Sequence, residues 1–145
     1  MTPRRLDPSI VHARLSIMRG LLDDLAGVDT AGTAPLAENR MLRHGVERIL
    51  TQLVELATAI NEHVAGARLH RVATTYRESF DLAAECGLID KQLRDDLLPS
   101  VGMRNVLVYD YLEIDLRKVA VAVPLALSCY RRYVQQVAEF VIRVG

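Results

Sequence analysis

The sequence predicts an all-α fold, an antiparallel bundle of four or five helices forming a single domain over residues 1–145. Apolar residues recur at alternating spacings of three and four over long stretches, which is the period of one helix face. No stretch alternates apolar and polar residues between turn signals, as a half-buried strand would. Composition agrees: half the residues are hydrophobic and only 5% aromatic, and the dominant Ala and Leu are strong helix formers. A chain of this length buries roughly two-thirds of its unfolded surface in one domain.

Val11, Leu15, Met18, Leu22 and Leu25 form the first stripe and predict a helix from about Pro8 to Ala26, stopped by Gly27. Residues 27–35 are small and interrupted by Gly and Pro, and read as a flexible loop. Leu42, Val46, Ile49, Leu53, Leu56, Ile60 and Val64 predict one long helix from about Leu36 to Ala65, ended by Gly66. It would be about 45 Å long at 1.5 Å per residue. Its near-heptad spacing points to coiled-coil-like packing on a neighbour, within the bundle or in a partner chain.

Thr75-Tyr-Arg-Glu78 is a capping-box pattern, opening a short helix to about Cys86 with Gly87 as its C′ residue. Asp90 is placed to cap a helix carrying Leu93, Leu97 and Val101, which reads as continuing through residues 101–115. Pro99 lies inside it and predicts a kink or break. Asp115 caps the last helix, about Leu116 to Val141, which Pro124 should bend.

Eighteen basic residues balance eighteen acidic ones. This excludes a basic field over the whole protein, so any nucleic-acid contact must be a local patch. Cys86 and Cys129 read as free core thiols. The N-terminal residues lack the apolar run of a signal peptide. The longest apolar run, Val119–Leu127, is broken by Pro124 and too short to span a bilayer. The expectation is a cytoplasmic protein with no membrane partner.

His12, His44, His63 and His70 show no metal-ligand spacing, and no metal or cofactor is expected. Asp23-Asp24 and Asp95-Asp96 are neighbours about 100° apart on a helix, which suits solvated charge better than paired acid–base work. Arg117-Lys118, Arg131-Arg132 and Arg40 with Arg43 are the local basic clusters.

Residues 101–115 are the most informative. Arg104, Asn105, Tyr109, Asp110 and Tyr111 are threaded through an apolar run whose Val101, Leu107, Val108 and Leu112 can face a core. A guanidinium one to two turns from two phenols can bind phosphate, since Arg offers a planar fork of donors. The residues alone favour a plainer arrangement, Arg104 paired with Asp110 and two tyrosines at a core edge.

The phrase Arg104-Asn-Val-Leu-Val-Tyr109-Asp-Tyr111-Leu-Glu-Ile-Asp115 resembles the signature of the HepT-like toxins, in the HEPN superfamily of small helical ribonucleases. Their pattern R-x-x-x-x-H-x-Y usually sits in a phrase close to R-N-x-L-V-H-x-Y-x-x-I-D. The Arg, Asn, Leu-Val, final Tyr and Ile-Asp all match, whereas Tyr109 stands where that family has His. Tyr76-Arg-Glu-Ser-Phe80, followed by Leu82, Ala83, Gly87 and Leu88-Ile-Asp90, resembles an upstream segment of the same group. The similarity covers about residues 8 to 142.

The resemblance implies a HEPN-type bundle that forms a two-fold homodimer, with the motif of each subunit lining a shared cleft where RNA, such as tRNA or mRNA, is cut without metal. Arg104 would then stabilise the phosphate, with Asn105 and Asp110 as polar neighbours. Tyr109 would hold the place of the proton-shuttling His. Arg117 and Lys118 would bind flanking phosphates if the last helix packs beside the motif. The implied partner is an antitoxin, an MNT-type nucleotidyltransferase that silences the toxin by moving AMP onto Tyr111, as in a type VII-like toxin–antitoxin system. A phenol titrates near pH 10, so about one part in a thousand is ionised at pH 7. The substitution at Tyr109 therefore implies weakened or lost cleavage. A catalytically inactive HEPN module that dimerises and binds the transferase is the alternative.

Overall fold

The computed structural model describes residues 5–144, apart from the side chain of Tyr111. Helix makes up 81% of the described residues, which contain no strand, so the apolar stripes do form an all-α bundle. The elements are α1 (Pro8–Ala26), α2 (Ala34–Glu38), α3 (Arg40–Arg68), α4 (Tyr76–Glu85), α5 (Lys91–Tyr109), a 3-10 turn at Tyr111–Glu113, and α6 (Leu116–Val144).

Helix α1 follows its stripe closely. Asp7 caps it by accepting from the Ser9 amide, and all five stripe residues are buried. The long second helix departs from expectation, because the chain breaks at Asn39. There the backbone is extended (φ −121°, ψ 97°) and the side chain accepts from the Leu42 amide. Asn is a strong N-cap, and Pro35 starts the separate turn of α2 within what was expected to be loop.

Gly66 does not end α3 either. It lies buried inside the helix, which continues to Arg68. The reason is packing: Ala65 joins Ala73, Leu82 and Leu69 in a small second core that holds the last turn. The chain then reverses around His70, which has φ 53°.

Helix α3 packs against α1, α2, α4, α5 and α6. Its buried surface is therefore wider than one stripe and takes in Leu50, Val54, Ala57 and Asn61, while Leu42, Ile49 and Leu56 are only half-buried. The Tyr133 hydroxyl of α6 donates to Asn61 Oδ1 at 2.7 Å and lies 3.1 Å from the Ala57 carbonyl. Asn61 Nδ2 donates in turn to Ser79 Oγ at 3.4 Å. These bonds tie α6, α3 and α4 together at the centre of the bundle. Burial pushes the Tyr133 phenol up from its ordinary value and keeps it a neutral donor.

The α4 cap is half reciprocal. Thr75 accepts from the Glu78 amide at 3.0 Å, but the Glu78 carboxylate takes the Thr74 hydroxyl and amide instead of closing on Thr75. The far end forms a Schellman motif: the Leu88 amide donates to Ala83 O at 3.0 Å and the Gly87 amide to Ala84 O at 3.2 Å. Gly87 carries φ 81°, a conformation in which a Cβ is strained. We expect Gly87→Ala to lower stability by about 1–2 kcal/mol, read from the urea midpoint of the purified chain. An unchanged midpoint would show that the turn relaxes.

Helix α5, capped by Asp90 on the Leu93 amide at 2.7 Å, runs through Pro99 without a break. It ends at Tyr109, short of the expected residue 115. Asp110 still donates to Val106 O, but its backbone (φ −116°, ψ 32°) leaves the helix. Because α6 starts at Leu116 and packs back on α5, a helix to residue 115 would leave no chain for the reversal. Val101 and Leu107 are accordingly buried as expected, whereas Val108 is partly exposed and Leu112 is 86% exposed. Helix α6 continues past Pro124 unbroken and ends three residues beyond the expected Val141.

Arg132 of α6 reaches Asp96 of α5 at 2.8 Å and, with Gln92, holds its carboxyl below the usual value of 3.8. Glu78 and Asp115 are likewise lowered, by Thr74 and Arg117 respectively. A lowered folded value gives stability that is present above the unfolded value and lost as pH falls through the folded one. We expect the unfolding temperature to drop below about pH 4, and to drop less in Asp96→Asn.

Candidate functional site

Three helices converge on Arg104: α3, α4 and α5 all pack on one another. Arg104 is only 8% exposed. Its Nη2 donates to the Tyr76 hydroxyl at 3.0 Å and lies 3.6 Å from Glu55 Oε1, and its Nη1 donates to Asn105 Oδ1 at 3.3 Å. The Tyr76 ring lies 4.3 Å from the guanidinium carbon and the Tyr109 ring 5.8 Å. Both are within the reach of a cation–π contact. The buried Nε has no acceptor.

The carboxylate partner is thus Glu55 and not Asp110, which is exposed at the helix end. Neither Glu55 nor Tyr76 was anticipated as a partner. Glu55 left a signal: it is the only charge between Arg48 and Glu62. Tyr76 is half-buried, and its hydroxyl contact depends on tertiary geometry.

Asn105 and Tyr109 stand at the rim, Tyr109 being 72% exposed. Tyr111 belongs to the 3-10 turn beyond Asp110, so the two tyrosines do not share a helix, and the Tyr111 side chain lies outside the described residues. Arg117 and Lys118 lie apart from this cluster, although α6 does pack on α5. They line a groove of about 980 Å³ between the two helices, together with Met103, Val121 and Leu125. Met103 and Arg104 are adjacent and so point about 100° apart, one toward α6 and the other toward α3 and α4. Arg117 is held by Asp115 at 3.3 Å.

The thiols of Cys86 and Cys129 are free, and burial raises both above their ordinary value, as suits packing residues. Among the described residues no group of His, Cys, Asp and Glu has the geometry to hold a metal ion. No described helix is long and apolar enough to cross a membrane.

The family model described as ribonuclease HepT-like matches residues 21–137, most of the bundle and the whole Arg104 region. The chain belongs to the HepT-like family. Relatives of this HepT-like chain include the tRNA nuclease HepT of Aphanizomenon flos-aquae, 27% identical over 94% of this chain and 93% of the relative. The mRNA nuclease HepT of Shewanella oneidensis is 31% identical over 59% of this chain and 64% of its own length. Among solved structures, a tri-AMPylated Shewanella oneidensis HEPN toxin in complex with an MNT antitoxin superposes with a TM-score of 0.80. It is 24% identical, over 90% of this chain and 97% of the toxin. The Bacillus subtilis cytosolic protein YutE, of unknown function, has the same TM-score at 15% identity, over 97% of this chain and 94% of its own. Those two likenesses speak to the HepT-like fold alone.

Proposed function

We propose that this chain is the toxin of a toxin–antitoxin pair and carries a metal-independent endoribonuclease site weakened by Tyr109. One observation carries the reading: a buried, oriented guanidinium at Arg104 with the exposed Tyr109 ring beside it, at the place where the family motif has His. In such a reaction the 2′-hydroxyl attacks phosphorus and loses its proton as the 5′-oxygen leaves and gains one. Arg104 stabilises the charge that develops on the phosphoryl oxygens, with Asn105 and Asp110 as polar neighbours at the rim. The proton must pass through a side chain able to hold and release it near neutral pH, and a phenol does this poorly.

The nuclease names of the two curated relatives support RNA as the substrate class, tRNA or mRNA. The toxin complexed with an MNT antitoxin supports a nucleotidyltransferase partner, with Tyr111 as the AMP acceptor. Arg117 and Lys118 serve as contacts for phosphates distant from the cut, since they line the neighbouring groove. The test is cleavage of tRNA and mRNA by the purified chain and by Arg104→Lys. Slow cleavage by the first and none by the second supports the reading, and equal rates overturn it.

One motif supplies a single Arg, too few groups for a complete site, so a two-fold homodimer that brings a second motif across a cleft is part of the proposal. Sedimentation at micromolar concentration should give a dimer, and a monomer would remove this part. A second reading has its own support: Arg104 is already engaged by Glu55, Tyr76 and Asn105. This fits an inactive HEPN module that dimerises and binds the transferase without cutting RNA.

A further inference from the structure

We propose that Tyr76 and Glu55 are positioning residues for Arg104: the phenol of Tyr76 fixes the plane of the guanidinium, and the carboxylate of Glu55 fixes its rotation within that plane. This rests on reading Arg104 as the phosphate-binding group. An arginine head on a long side chain has several rotamers, and ordering it costs conformational entropy unless neighbours hold it in advance. Here the holders come from two other helices. The guanidinium carbon lies over the Tyr76 ring, 4.3 Å from its centre, and the Tyr76 hydroxyl accepts from Nη2 at 3.0 Å. Glu55 Oε1 lies 3.6 Å from the same nitrogen.

The holders are themselves anchored. Tyr76 is the first residue of α4, next to the Thr75 cap, and its carbonyl accepts from Ser79 Oγ at 2.7 Å. Ser79 also belongs to the buried network through Asn61 and Tyr133. Glu55 sits at mid-length on α3, the helix that packs against all the others. The guanidinium stays in a position where Nε finds no acceptor, so its place is set by the contacts at Nη1 and Nη2 and by the Tyr76 ring beneath Cζ. Nη2 faces Tyr76 and Glu55, whereas Nη1 donates only to Asn105, which leaves its second proton for a phosphate oxygen. This arrangement also explains how a bundle can hold a site on a helix that ends within two turns of Arg104: the holding groups come from α3 and α4, two helices packed on each other and on α5.

The test uses the full chain. In ¹⁵N-labelled protein the Arg104 side-chain signals, assigned through Arg104→Lys, should show slow rotation about the Cζ–Nη bonds. Tyr76→Phe keeps the ring and removes the hydroxyl, and Glu55→Gln keeps an acceptor and removes the charge. Each should speed the rotation, and persistence of slow rotation in both overturns the proposal.

In the Tyr109→His background, Tyr76→Phe should lower kcat on RNA by on the order of tenfold or more, because small misplacements of a catalytic group are costly. KM should stay within about twofold. A rise in KM with unchanged kcat would make Tyr76 an RNA contact and overturn the positioning role. Altered rotation with unchanged kcat would overturn its bearing on the reaction. If Tyr109→His itself proves inert, the ribonuclease reading fails and the rotation measurement alone decides whether Tyr76 and Glu55 hold Arg104.

Discussion

Tyr109→His is expected to raise RNA cleavage by on the order of 10²–10⁴, the range that a positioned proton-transfer side chain contributes. The side chain at this place is mostly exposed and ends α5 beside Arg104, with its ring 5.8 Å from the guanidinium. Histidine is the side chain whose charge change falls nearest neutral pH, so an imidazole there can take up and release the proton. The gain should follow a pH profile with an inflection near 6–7 that the unaltered chain lacks. In the same background, removing the cation should return the rate to baseline.

Arg104→Ala is a poor way to do that, because Arg104 is buried and paired with Glu55, so truncation removes packing and leaves a carboxylate without its partner. Arg104→Lys keeps the charge and most of the stem but loses the planar fork. It should abolish the restored activity with little change in unfolding temperature. Cleavage by the unaltered sequence as fast as by Tyr109→His would show that Tyr109 is itself a competent proton carrier and that the mechanism is wrong.

The contrast between what was legible in the sequence and what was not has a physical pattern. Segments with one apolar face or a distinct cap, such as α1 with its five buried stripe residues and the start of α5 at Asp90, can be read because local chemistry and tertiary packing agree. Helix α3 was misread at both ends. Asn39 falls inside the single helix expected from Leu36, yet its side chain caps a new one, and Gly66 reads as a stop although Ala65 beside it packs on Ala73 and Leu82. Periodicity also understates a central helix, since it reports one face and α3 buries several.

At the site, the motif residues were legible in one stretch, but Arg104 takes its partners from residues 49 and 28 positions earlier. No local pattern encodes a choice between Glu55 and Asp110. Asp110 lost because the helix ends there and it stands at the exposed rim.

Co-expression with an MNT-type nucleotidyltransferase is expected to add AMP to this chain at Tyr111, and Tyr111→Phe should remove the modification completely, since no other hydroxyl occupies that place in the motif. Tyr109 is the natural competitor, a phenol two residues away and well exposed. The backbone separates the two: Tyr109 is the last residue of α5, whereas Tyr111 opens the 3-10 turn after Asp110 has left the helix. The angular offset that a continuous helix would impose between them therefore does not apply, and selection must come from the transferase recognising the turn. Attached AMP brings an anionic phosphate and a bulky nucleoside next to the residues proposed to bind RNA, and like charge repels the RNA backbone. The modified chain in the Tyr109→His background should then lose its restored cleavage, while the Tyr109→His, Tyr111→Phe double variant should keep cutting in the presence of the transferase and ATP. Intact mass and peptide mapping locate the addition. AMP found on Tyr109 with Tyr111 free would reassign the acceptor. Silencing of the double variant without any mass increase would mean that the partner acts by occlusion and not by modification.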